Sequence, residues 1–287
     1  IDEAKEKIGY IDNFDKYTLC EAVKASFYLS KIAPIVVINV LDKTKHIAAV
    51  TESEYAVINK KITLDKEIIK ESVVIKNMEN NTEYKENEDY TLEYNSEGKL
   101  IVEVLTDFTQ CKISYNKLDI TAVTEEEIVA GIEKVKEVYP KFNLVPGIIS
   151  APGYSSKEKV KEQLIQATEK INGLFSAITL IDVDTSKIKG LKNVIEYKSK
   201  EVWDKNSIIL FPKIKYKNQI YNMSTIAACL MIETDIKNDG IPYVSPSNKS
   251  INADELVLED GTEIIIDYEN ANVLNANGIC TALNMQG

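Results

Sequence analysis

The feature that most constrains the fold is a change of hydrophobic period, twice, along one chain. Residues before about Ile47 and after about Thr121 alternate helical and strand-like patterns, whereas the block between them carries only short alternating runs. Within that block, Tyr90–Tyr94, Leu100–Leu105 and Cys111–Tyr115 place apolar residues at every second position, the signature of half-buried strands. Asn95 to Gly98 joins two of these runs and supplies a glycine for a positive φ, as a hairpin requires. The block therefore reads as a small antiparallel β-domain, residues 47–121.

The flanks read differently. Lys16 to Ser30 carries Leu19, Val23 and Phe27 at helical spacing, and the β-branched run Ile35–Leu41 after Pro34 predicts a strand buried on both faces. After the β-block, Thr124 with Glu127 forms a capping box before Ile128, Ile132 and Val135, with Pro140 beyond the helix end. A strand is expected over about Leu144 to Ser150. Ser155 with Glu158 forms a second capping box, heading a helix through Val160, Leu164 and Ile171 that closes at Gly173. Strands are expected over Ala177–Val183 and Ile208–Phe211, and a helix from Ser224 to about Ile236. This rhythm predicts an α/β core domain with a mostly parallel sheet, residues 1–46 and 122–287, interrupted by the inserted antiparallel β-rich domain.

At 287 residues the chain can bury a core without covalent staples. Cys20, Cys111, Cys229 and Cys280 are far apart and contain no C-x-x-C pair, which favours reduced, packed thiols over a disulfide framework or a zinc site. The net charge of −11 argues against nucleic acid or an anionic membrane as partner. No apolar run approaches the length of a membrane-spanning helix, and no basic-then-apolar signal peptide opens the chain.

Catalytic leads are few. Asp182 and Asp184, in Asp182-Val-Asp184-Thr185 at the end of a strand, resemble the first motif of haloacid-dehalogenase phosphatases. That resemblance implies Asp182 as nucleophile and Mg²⁺ ligand and Asp184 as acid/base, with Asp235 and Asp239 as the later acidic pair. The family's Thr/Ser and Lys motifs are not recognisable, and a solvated strand end is the plainer reading. Ser156 with Lys159 fits S-x-x-K, but S-D-N and K-T-G are absent, so Ser156 reads as part of a helix start. His46, the single histidine, lies in a charged segment and is expected to be solvated; Trp203 and the tyrosines read as ordinary half-buried residues or subunit contacts. Neither a Walker loop nor G-x-G-x-x-G is present.

Several stretches, in order, resemble the sheath protein of contractile phage tails. Tyr17–Phe27 followed by Ala33–Val40 resembles that family's helix-then-strand entry, and Leu144–Gly153 resembles a Gly/Pro segment of its core. Ser224–Asp235 followed by Gly240 resembles a helix ending in Asp before Gly. Ser245–Asn248 is similar to its Pro-Ala-Asn turn, and Leu274–Ile279 to its closing segment. The match spans about 200 residues outside the inserted domain. The resemblance implies a structural subunit, not an enzyme, that polymerises around an inner tube and contracts by repacking. It implies no catalytic, cofactor-binding or metal-binding residues and no cofactor. The partners it implies are other copies of the chain, tail tube and baseplate proteins, in a virion tail or bacteriocin particle assembled in the host bacterial cytoplasm. It also places the terminal arms that add strands to neighbouring subunits outside residues 1–287, so this chain alone is expected to be a soluble monomer.

Overall fold

The computed structural model describes residue 3, residues 8–201 and residues 204–283. The chain divides into two compact units, one comprising the described residues up to Asn39 and from Glu125 onward, the other Val40–Thr124. The architecture is mixed α/β, with one four-stranded parallel sheet and separate antiparallel sheets.

The first unit opens with α1 (Thr18–Lys24), which continues as a π turn over Ala25–Leu29. Val23 and Ala25 face inward and are almost fully buried. The following run, residues 33–41, is not the expected strand. It carries the β-branched composition of one, but no strand among the described residues pairs with it, and Val36 is 42% exposed. Strand propensity reflects fit to a pleated surface, and a ladder still requires a neighbour.

The second unit contains β1 (Ile47–Ala56), β2 (Lys61–Lys66), β3 (Val74–Asn77), β4 (Tyr90–Tyr94), β5 (Lys99–Val104) and β6 (Gln110–Leu118). They form two three-stranded antiparallel sheets, ordered β1-β6-β3 and β2-β5-β4. Alternation in the sequence becomes alternation in burial: Leu100 and Val102 of β5 and Cys111, Ile113 and Tyr115 of β6 share one core, and Val104 of β5 is buried as well. The β4–β5 turn closes with Gly98 at φ +79, donating its N–H to the Asn95 carbonyl. Edge strand β1 carries Glu52 and Glu54 and a register irregularity between Val50 and Ser53, features that discourage edge-to-edge pairing.

The chain then returns to the first unit through α2 (Glu125–Glu133), a 3₁₀ turn and α3 (Val138–Phe142). Pro140 lies inside α3 and not beyond the helix. It sits in the opening turn, where an amide N–H has no helical acceptor, so the ring is tolerated there. Asn143, in the left-handed conformation, ends α3. Then follow β7 (Ile148–Ser150), α4 (Glu158–Glu169), β8 (Ile178–Asp182), α5 (Leu191–Glu201), β9 (Ser207–Leu210), β10 (Lys213–Tyr216), β11 (Gln219–Tyr221), α6 (Met223–Ile236), β12 (Glu255–Val257), α7 (Tyr268–Ala276) and β13 (Ile279–Cys280). Gly173 does not cap α4, which ends at Glu169; with Asn172 it forms a tight turn bridging Ile171 to Phe175.

The parallel sheet is ordered β13-β9-β8-β7. Its centre is β8, where Leu180 and Ile181 are completely buried on opposite faces. This is the continuous apolar strand that helix-covered parallel sheets need. A small antiparallel sheet, β11-β10-β12, adds a feature that the helix–strand rhythm does not reveal. Among the described residues, no helix is long and apolar enough to cross a membrane.

Candidate functional site

In sheets whose strand order reverses, ligands bind beyond the carboxyl ends of the strands at the reversal. Here β7, β8, β9 and β13 are laid down in one direction, and the ground beyond β8 is occupied by protein. Four elements converge there: the end of β8, the loop after β7, the N-terminus of α6 and helix α1.

The polar groups at this junction are buried and mutually satisfied. Asp182, the last residue of β8, accepts the Ser224 backbone N–H at 2.8 Å and the Ser224 hydroxyl. The Ser155 hydroxyl lies 3.0 Å from the Asp182 backbone N–H, which it accepts, and 3.4 Å from the carboxylate. Glu21 of α1, 1% exposed, accepts the Asn222 backbone N–H through one oxygen and the Asn222 side-chain amide through the other, both at 2.7 Å. The first turn of a helix leaves its N–H groups unpaired, and a cap side chain from the N-cap residue usually meets one of them. In α6 the N-cap residue Asn222 makes no such bond. Two carboxylates from elsewhere in the fold do that work, joining α1, β8 and α6 into one block.

Burial raises both carboxylates. Asp182 is lifted above the usual aspartate value by desolvation, against the pull of the Ser224 hydroxyl and amide, Lys213 and Ser155. Glu21 is pushed up to about 8 by desolvation, opposed by Thr225 and Asn222 and reinforced by the charge of Asp182. The Thr225 hydroxyl is close enough to act on Glu21, yet it is buried without a hydrogen bond of good geometry.

The catalytic leads are dispersed. Asp184 lies in the turn after β8, bound by the Ser186 amide at 3.1 Å and paired with Lys187 at 3.0 Å. Burial pushes Asp184 up, but the hydrogen bonds from Ser186 and Lys187 outweigh it and the net shift is downward. Asp235 lies at the far end of α6 and Asp239 in the turn after it, and at 1.5 Å per residue Asp235 is about 16 Å along the axis from Ser224. Asp182 is thus not a solvated strand end, and the acidic pair is not brought to it. Ser155 does not cap α4 either: Lys157 occupies that place, and the Ser155 side chain is committed to Asp182. Ser156 lies in the turn ahead of α4, and Lys159 is drawn to Glu126.

His46 is not solvated. The Asp42 carboxylate accepts the Thr44 N–H and hydroxyl, curling the chain so that Asp42 N donates to His46 Nδ1 at 2.8 Å, and the ring is 3% exposed. Trp203 lies outside the described residues. Cys20, Cys111 and Cys229 are buried free thiols and Cys280 is exposed. Among the described residues, no group of three or more His, Cys, Asp or Glu side chains is gathered closely enough to hold a metal ion. A shallow groove of about 360 Å³ lies between α2 and α4, floored by Val129 and Ala130 and rimmed by Glu126, Glu133, Lys159 and Glu162.

Sequence reading missed the role of Glu21, because the apolar spacing of α1 does not reveal that its fourth residue faces inward. Gly153 gives a partial signal for the junction. At φ +78, a Cβ there would lie 2.8 Å from Thr18 Cγ2 of α1, so only glycine lets the loop approach so closely. Gly153→Ala is expected to cost about 1–3 kcal/mol, from combined left-handed strain and overpacking. Chemical denaturation with an unchanged m-value would register the loss, and unaltered stability would show that the loop does not press on α1. A scan against protein families finds no match for this chain, and a search of curated proteins finds none either.

Proposed function

We propose that the chain is a structural subunit of a contractile tail sheath, of a phage tail or phage-like bacteriocin, that polymerises around an inner tube and shortens by repacking of subunits. One observation supports this reading beyond the ordered sequence resemblance. Residues 35–38 carry the chemistry of a buried strand, yet they have no sheet partner among the described residues. Such a run suits a subunit whose sheet is completed by a strand from a neighbouring copy. The interlocked junction of α1, β8 and α6 suits it as well, since shortening by repacking needs stiff subunits that move at their interfaces. In this reading the β-rich unit is inserted in the α/β core, the tube and baseplate are the other partners, and the energy of contraction is the difference between two sets of contacts.

The arms that pair with neighbours lie, in this reading, outside residues 1–287. Sedimentation of this chain is therefore expected to give a monomer, and the arm-bearing parent is expected to form tubes. Val36→Pro removes a ladder donor and is expected to abolish tubes while changing the stability of the isolated chain by less than about 1 kcal/mol. Tubes that persist in this variant would refute pairing at that segment.

The alternative is a Mg²⁺-dependent phosphatase of haloacid-dehalogenase type using Asp182 and Asp184. It requires α6 to move aside, because Ser224 and Ser155 occupy the Asp182 carboxylate. Magnesium-dependent hydrolysis of p-nitrophenyl phosphate, lost in Asp182→Asn, would establish it.

A further inference from the structure

Helices α2 and α4 lie side by side and run in the same direction. At their N-terminal ends Lys157 pairs with Glu125 at 3.8 Å and Lys159 pairs with Glu126. Ile128 and Ile132 of α2 and Val160 and Leu164 of α4 are buried beneath the pair. The groove of about 360 Å³ is the outer seam between the two helices. It exists because α2 turns short side chains, Val129 and Ala130, toward a line where α4 presents Glu162, Gln163 and Gln166. On both helices the lining positions recur at i, i+3, i+4 and i+7, so the seam follows the helix axes for about 10 Å at 1.5 Å per residue.

Two features set this seam apart from ordinary solvated surface. The first is unmatched charge. Three of its four charged residues are glutamates, and its one lysine, Lys159, is already engaged by Glu126. Lys134 and Lys141, further along the α2 side, both pair with Glu137. Among the described residues, Glu133 and Glu162 line the groove without a cationic partner. The second feature is the open end, where both sides of the seam continue past the helices. Tyr139 of α3 packs on Phe175 with ring centroids 5.5 Å apart, and their chain neighbours Phe142 and Leu174 are 60% and 83% exposed. Single exposed apolar residues are ordinary, but a group of them at the mouth of a groove marks a contact surface.

We propose that the seam between α2 and α4 docks a basic amphipathic helix of another protein. The guest lies along the seam as a third helix, with Lys or Arg side chains on Glu133 and Glu162 and its apolar stripe over Val129, Ala130 and Leu174. An amphipathic helix suits such a groove because its anchors recur at the same i, i+3, i+4 and i+7 spacing. The sign of the charge selects among occupants. A second copy meeting this face with its own would bring the same glutamates to the rim, on a chain whose net charge is −11. Nucleic acid and anionic membrane are opposed for the same reason. The inference does not depend on the assembly reading.

The test uses this chain and a synthetic helical peptide of leucine and lysine at amphipathic spacing, beside a control peptide with glutamate in place of lysine. Titration into the ¹⁵N-labelled chain is expected to shift the amides of Val129, Ala130, Glu133, Gln163 and Gln166 with the lysine peptide alone. Binding should weaken as salt is raised, because exposed ion pairs are screened. The double variant Glu133→Lys/Glu162→Lys should bind the lysine peptide about tenfold more weakly, since two exposed attractions become repulsions. Glu54→Lys/Glu93→Lys, an equal change of net charge at exposed positions of the other unit, should leave binding unchanged. No binding, shifts spread over the whole acidic surface, or equal weakening by the two double variants would overturn the proposal. Sedimentation of the free chain as a dimer that the groove variant dissociates would overturn it too, by naming a second copy as the occupant.

Discussion

Asp182→Ala is expected to destabilise the α/β unit by about 3–5 kcal/mol, among the largest effects of any polar substitution in the chain. The alanine removes an acceptor and strands the Ser224 amide at a helix N-terminus and the Ser224 hydroxyl within a buried junction, while the Ser155 hydroxyl keeps only its bond from the backbone N–H of residue 182. Asp182→Asn keeps an acceptor for the Ser224 amide, and the two hydroxyls can rotate to accept from its new donor. A loss of only about 1–2 kcal/mol is expected for it. Urea unfolding followed by circular dichroism measures both. Equal losses for the two variants would show that the carboxylate's charge, not its geometry as an acceptor, holds the junction. A negligible loss for alanine would show that water satisfies the Ser224 and Ser155 groups in place of the carboxylate.

Truncating the two cores is expected to separate the units calorimetrically. Ile113 lies in the central strand β6 and Leu180 in the central strand β8, and both are completely inaccessible to solvent. Each truncation to alanine should cost about 2–5 kcal/mol, from lost transfer energy and a cavity. Because the two residues belong to separate compact units with separate cores, Ile113→Ala should lower one thermal transition and Leu180→Ala the other. For a unit of the size of Val40–Thr124, the expected fall is on the order of 10–20 °C. Transitions that shift together for either variant would mean that the chain unfolds as one cooperative block.

Where side-chain period sets burial, the sequence is a good guide. The alternation at Leu100, Val102 and Val104 marks one face of β5, and the largely apolar run at Ala177–Val183 marks the buried β8. Its failures share a cause, which is that local pattern does not specify partners. Ile35–Leu41 has the composition of a central strand, but pairing depends on a neighbour that local composition does not name. Ser155 and Glu158 match a capping box, yet the Ser155 hydroxyl is taken by a carboxylate 27 residues away in sequence. His46 sits among charges in the sequence, but the turn at Asp42 folds it inward. The junction was half legible: Asp182 stands out as a carboxylate ending a buried strand, whereas Glu21 reaches Asn222 across 201 residues. No periodicity encodes that contact.

The most direct test of the assembly reading is negative-stain electron microscopy of this chain beside a version extended at both ends by the proposed arms. The account predicts hollow tubes or striated cylinders from the extended version and isolated particles from residues 1–287. Isolated particles from both, across low and high salt, would contradict it.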